Sequence, residues 1–253
     1  MIIPPLDAHA HIALSVDRDD LVGLGAAVLA MTREETEWAD ALKRQDEMTI
    51  WGIGAHPRLL TQDRPFAMDA FEEAVEKALI VGEVGLDRQA SAPRAADVFD
   101  EVLAVVQRHA RPVSIHSVGA TGPVVSALKR RPVDAPILHW WRGTPSETEE
   151  AIRLGAFFSL NGAEARNPKV LSMLPKDRVL TETDYPHTRR YDPAARQPAA
   201  VGTIEKALME QWRVDQSELR HQVWRNFGRL FDRCDLLDDL PPSIQETILT
   251  VGF

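Results

Sequence analysis

Residues Asp7-Ala8-His9-Ala10-His11 carry the first chemical signal in the sequence. On a β-strand alternate side chains leave from the same face, so Asp7, His9 and His11 point to one side, one pleat apart. Two imidazoles near the end of an apolar strand can bind one divalent ion, and the carboxylate behind them either completes the site or orients a ring. Taken alone, the motif fits equally well an N-terminal strand whose histidines are satisfied by hydrogen bonds. Position elsewhere in the chain decides between these. Of the eight histidines, His9, His11, His56, His116 and His139 each fall at or just past an apolar, β-rich run. Glu83 ends another such run, and the last runs into Asp184.

The runs that must position these residues are eight, at about 2–9, 26–31, 49–54, 79–83, 112–116, 136–140, 156–160 and 179–183. Helix-like segments separate them, at 32–45, 69–77, 95–109, 124–130, 147–154, 168–174 and 203–211. The first of these opens on Thr32-Arg33-Glu34-Glu35, read as a capping box. Eight strands alternating with helices predict an α/β fold, a parallel (β/α)8 TIM barrel, in which strand ends far apart in sequence converge on one rim. A further helix at 216–231 presents Leu219, Val223, Phe227, Leu230 and Phe231 as a packing stripe. We read 1–232 as a single barrel domain of hydrolase type. Residues 233–253, set off by Pro241-Pro242, form a tail packed on the barrel or on a protein partner.

Composition narrows the function. The chain has 253 residues, 44% of them hydrophobic and 26% charged, enough for a sizeable core. A net charge of −9 counts against a surface that clings nonspecifically to nucleic acid. It does not exclude a local site, where bound divalent ions would set the field. The single cysteine, Cys234, rules out an intrachain disulfide and fits a reducing compartment. The chain shows no leader and no stretch of about eighteen apolar residues, so we expect a cytoplasmic protein with no membrane partner.

Several motifs now fall into one pattern: Asp7-Ala-His9-Ala-His11, Gly54-Ala-His56-Pro57, Gly82-Glu83-Val-Gly85-Leu-Asp87, Pro112-Val-Ser-Ile-His116, Leu138-His139-Trp-Trp-Arg-Gly143, Glu182-Thr-Asp184-Tyr-Pro186 and Asn226-Phe-Gly-Arg-Leu-Phe231. In order and spacing the set resembles the TatD-like metal-dependent deoxyribonucleases of the amidohydrolase superfamily, from about residue 6 to 232. The resemblance implies two divalent ions, with His9, His11 and Asp184 on one, His116 and His139 on the other, and Glu83 bridging them. That donor mixture suits Zn²⁺, Mn²⁺ or Mg²⁺ without choosing among them. It further implies hydrolysis of DNA, as single strands or at 3′ ends, by two-metal chemistry in which Asp184 takes a proton and Glu83 is also catalytic. Asp7 and Glu182 support the ligands from behind. Among substrate contacts, His56 is expected at a phosphate or leaving group. Arg142 and Arg189 are expected as phosphate clamps, and Trp141 as an aromatic that meets substrate.

Departures from the pattern keep other readings open. Where the family usually carries arginine two residues past the fifth-strand histidine, this chain has Val118, and Trp140-Trp141-Arg142-Gly143 replaces the usual residues after the sixth. The same rim in this superfamily serves small esters, lactones and phosphoesters. A third reading makes the chain a binding subunit of a multi-protein system, since some divergent TatD-like chains resemble components of bacterial anti-phage systems. Its hook is the apolar tail Ile244, Ile248, Leu249, Val251 and Phe253.

Overall fold

The computed structural model describes residues 2–61, 66–90 and 92–252. Eight strands follow one another in sheet order: β1 (Leu6–Ala10), β2 (Ala27–Met31), β3 (Thr49–Ala55), β4 (Val81–Gly85), β5 (Val113–His116), β6 (Pro136–His139), β7 (Phe157–Leu160) and β8 (Val179–Thr181). The helices between them are α1 (Arg18–Gly23), α2 (Glu35–Ala41), α3 (Met68–Lys77), α4 (Ala92–Arg108), α5 (Thr121–Arg130), α6 (Pro145–Arg153) and α7 (Pro168–Met173). After β8 come α8 (Gly202–Trp212), α9 (Gln216–Asp232) and α10 (Pro242–Thr250). This strand-helix succession is the (β/α)8 TIM barrel fold. Each predicted run overlaps a strand. Helix α1 lies outside the predicted set because it is short and buries only Leu21.

The chain forms two compact units. The first comprises Met1–Ala30, Gln45–Ile50 and Phe158–Phe253. Within it β1 runs parallel to β2, with Leu6 opposite Ala27, and β7 parallel to β8, with Phe158 opposite Val179. The carboxyl ends of β1 and β8 are stitched together. Asp184 N–H donates to the His9 carbonyl and His11 N–H to the Tyr185 carbonyl, both at 2.8 Å. Helix α9 starts on a capping box formed by Asp215 and Glu218 and buries the whole predicted stripe. Helix α10 packs on α9, with Ile244, Ile248 and Val251 buried and Leu249 77% exposed. Phe253, counted with that tail above, lies outside the described residues.

Asn226 anchors α9 to the start of β8. Its amide donates to the carbonyls of Lys176 and Val179, each at 2.8 Å, and its oxygen accepts from Gln222 at 2.8 Å. A carbonyl left unpaired in the interior costs about 1–3 kcal/mol. We therefore expect Asn226→Ala to destabilise the fold by about 2–4 kcal/mol in urea unfolding. A loss below about 0.5 kcal/mol, ordinary for a surface change, would contradict this anchor.

The second unit, Met31–Arg44 and Trp51–Phe157, holds β3 to β6 in parallel register. Here one expectation is corrected: Thr32 does not cap a helix. It is buried, its hydroxyl donates to the Gly52 carbonyl at 2.8 Å and accepts from Gly54 N–H at 2.9 Å. The capping box uses Glu34 and Glu37, two residues later. Gly54 lets the backbones meet, because a Cβ there would collide with the Thr32 carbonyl and Glu83 N. That close approach allows Glu83 N–H to donate to the Thr32 carbonyl at 2.9 Å, fixing the strand that carries the Glu83 side chain. Among the described residues no helix is long and apolar enough to cross a membrane.

Candidate metal centres

In the first unit the candidate ligands stand where β1 and β8 end. His9 Nε2 is 4.0 Å and His11 Nε2 3.8 Å from Asp184 Oδ1, and the two imidazole rings meet edge to face at 5.1 Å. All three side chains are nearly or fully buried. Asp184 holds a left-handed backbone, φ +45°, a region that aspartate tolerates better than most residues. Such conformations persist only where surrounding bonds over-determine them. Here Asp184 N–H is tied to His9, and its carbonyl accepts from His187 N–H at 2.8 Å.

Asp7, on the same strand, turns its carboxylate to backbone N–H groups and to the Thr183 hydroxyl. Its carboxylate accepts from Thr183 N–H at 2.8 Å, the Thr183 hydroxyl at 2.6 Å and Ala199 N–H at 2.7 Å. Burial raises its pKa to about 6, against the lowering effect of those three bonds and with Glu182 adding to the rise. Glu182, also buried, accepts from Ser159 and, at 3.0 Å, from Asn161, so it braces the β7 and β8 ends.

In the second unit one carboxylate oxygen gathers three rings. Glu83 Oε1 lies 2.6 Å from His116 Nδ1, 2.9 Å from His139 Nε2 and 3.6 Å from His56 Nε2. Gly85 makes room beside them: its φ is +139°, and a Cβ would strike the His116 carbonyl. His116 also meets Asp87 Oδ2 through Nε2 at 2.8 Å. Burial disfavours its imidazolium, but Glu83 and Asp87 outweigh that effect and raise its pKa. The His116 hydrogen bond correspondingly lowers the pKa of Asp87, against partial burial.

Both clusters fit divalent cations by the chemistry of their donors. Donor atoms of His56, Glu83 and His116 all lie within 4.8 Å of one another, as do those of His11, Asp184 and His187. Buried carboxylates beside several imidazoles are the arrangement that paired or metal-bound charge requires in an interior. The profile described as TatD related DNase matches residues 6–232, which include every one of these side chains. The chain belongs to the TatD-related DNase family.

This TatD-family chain is similar to the metal-dependent hydrolase YabD of Bacillus subtilis (strain 168), at 28% identity over 89% of this chain and 98% of that protein. It is also similar to the 3′-5′ ssDNA/RNA exonuclease TatD of Klebsiella pneumoniae (strain 342), at 30% identity over 70% of this chain and 75% of that one. Among solved structures, the TatD homologue YjjV of Escherichia coli K12 matches with a TM-score of 0.81 at 22% identity, covering 92% of this chain and 99% of that chain. The last likeness is one of fold.

The structure rearranges the expected substrate contacts. Trp141 is fully buried, its indole N–H donates to Thr148 Oγ1 at 2.9 Å, and its ring fills the space beside Gly143. It packs the core and does not present a stacking face to substrate. The reason is that β6 ends at His139 and Trp140 turns left-handed, φ +43°, so the half-buried member of the pair is Trp140. Arg142 and Arg189 are exposed, and His56 sits within the Glu83 cluster.

Asp87 is the residue that reading by motif left without a role. A ligating histidine commonly passes its second ring nitrogen to a carboxylate, which fixes tautomer and orientation. The signal was present in the four-residue step from Glu83 to Asp87 past the end of β4. If His116 turns Nδ1 to an ion, Asp87 holds the ring from Nε2. Asp87→Asn should then weaken binding of one divalent ion by about 10–100-fold in calorimetric titration. Unchanged affinity would leave Asp87 with a packing role only.

Proposed function

We propose that this chain is a metal-dependent deoxyribonuclease that trims single-stranded DNA from 3′ ends. One divalent ion is held by His9, His11 and Asp184, another by Glu83, His116 and His139. The observation that carries the reading is the convergence of three imidazoles on one oxygen of Glu83. Its support from kin is the family match and the similarity to a metal-dependent hydrolase and a 3′-5′ exonuclease. Bound Zn²⁺, Mn²⁺ or Mg²⁺ supplies Lewis acidity toward phosphoryl oxygens and lowers the pKa of water.

The chain's own groups do the rest. Asp184, within reach of His9 and His11, accepts the proton released as water attacks phosphorus and, as the bond from phosphorus to the departing ester oxygen breaks, returns it to that oxygen. Glu83 supplies the negative charge that keeps His116 and His139 turned inward, and Asp87 fixes the ring of His116. Asp7 and Glu182 hold the backbone on which Asp184 is displayed. His56 and the exposed Arg142 and Arg189 contact phosphate, the arginines through paired N–H donors. A cytoplasmic setting accords with the lone, buried, unbridged Cys234.

The test is digestion of a 5′-labelled single strand with Mg²⁺ or Mn²⁺. The expected result is a ladder shortened from the 3′ end, abolished by chelator and restored by metal. A strand left intact under every metal overturns the nuclease reading. A second reading, hydrolysis of a small ester or lactone at the same residues, is favoured by Val118, an apolar side chain 46% exposed, and by the burial of Trp141. Turnover of chromogenic esters and lactones, with the oligonucleotide untouched, would select it.

A further inference from the structure

We propose that His187 is a further ligand of the ion held by His9, His11 and Asp184, making this a site of three imidazoles and one carboxylate that favours Zn²⁺. The inference rests on the metal-dependent reading above and sharpens one of its two sites. His187 opens the turn His187–Arg190 directly after β8. That turn is pinned by its own backbone: the Asp184 carbonyl accepts from His187 N–H at 2.8 Å and from Thr188 N–H at 3.3 Å, while the Thr188 hydroxyl donates to the Thr183 carbonyl. The ring consequently stands edge to face against His11, centroids 5.2 Å apart at 80°. One donor nitrogen of His187, one of His11 and one oxygen of Asp184 lie within 4.8 Å of one another.

Burial and donor type give the site its character. His9 and Asp184 are buried, and His187 is exposed, so the fourth donor approaches from the solvent side. Four-coordinate nitrogen and oxygen sets of this kind are what Zn²⁺ takes, at nitrogen distances near 2.0–2.1 Å. Carboxylate-rich oxygen sets suit Mg²⁺ instead. Each imidazole added to a site therefore shifts its preference toward zinc. The cluster around Glu83 in the second unit has its own carboxylate and rings and does not involve His187.

The experiment measures metal binding, independent of turnover. Zn²⁺ affinity and the visible absorption of the Co²⁺-substituted protein are compared for the wild type, His187→Ala and Arg190→Ala, the last as a control in the same turn. The expected result is a loss of at least about tenfold in affinity for one equivalent of Zn²⁺ in His187→Ala, with an altered cobalt spectrum. Mg²⁺ affinity and the unfolding midpoint of the metal-free protein stay at wild-type values. Arg190→Ala keeps wild-type Zn²⁺ binding. Equal zinc affinity and an identical cobalt spectrum in His187→Ala overturn the inference while leaving the metal site standing, as does an equal loss in Arg190→Ala, which would trace the effect to the turn. A wild-type protein that binds neither metal overturns both this inference and the reading beneath it.

Discussion

Glutamine in place of Glu83 lowers metal-dependent DNA cleavage by at least about 10³-fold and reduces the metal content of the purified protein. The substitution keeps the shape of the side chain and removes its charge. In the native protein a single oxygen faces three imidazole nitrogens between 2.6 and 3.6 Å away. An amide oxygen is a neutral acceptor, and the amide NH2 offers only donors, whereas a cation needs lone pairs from both side chain and rings. Loss of Lewis acid stabilisation is worth several kcal/mol, and each 1.36 kcal/mol is tenfold in rate, so about 10³ is a lower expectation. The measurements are kcat on a labelled single strand and metal per chain by elemental analysis. Activity within tenfold of wild type at unchanged metal content refutes the assignment.

Asparagine at position 184 lowers kcat by about 10²–10⁴-fold, the range typical for loss of a positioned proton acceptor. Asparagine is the informative probe because position 184 needs a left-handed backbone, φ +45°, which asparagine adopts more readily than alanine. Fold and chemistry are thereby separated. The variant should unfold at the wild-type temperature when metal-free, while its turnover collapses. A variant that melts early would show that the carboxylate serves chiefly to hold the β1 and β8 ends. A variant that retains turnover would move the proton acceptor elsewhere, with His187 the imidazole three residues further along the chain.

The fold was legible because its elements are written in local patterns. Parallel strands buried on both faces give short apolar runs, and each of the eight runs overlaps a strand. The ligand candidates were legible for a related reason: they sit within the last three residues of a strand or just beyond it, where an apolar run visibly gives way to His, Glu or Asp. What escaped the sequence depends on events after the strand stops. Trp140 and Trp141 exchange faces because the backbone leaves the extended region at Trp140, which no alternation rule foresees. Thr32 looked like a helix cap because its spacing to Glu35 fits one, yet its hydroxyl found two strand groups across the sheet. Asp87 and His187 fall in turns, where the direction of a side chain follows from backbone hydrogen bonds and not from period.

Three of the bonds that Asp7 accepts have a consequence for how the protein comes into being. Their donors lie 176 residues away, at Thr183, and 192 residues away, at Ala199. A ribosome adds about 5–20 residues per second, so Asp7 leaves the peptidyl centre about 10–40 s before Ala199 is made. During that interval the Asp7 carboxylate lacks its Thr183 and Ala199 donors, and Asp184 is not yet available to face His9 and His11. The nascent chain is thus born with the β1 cluster incomplete, and His9 and His11 meet Asp184 only near the end of synthesis.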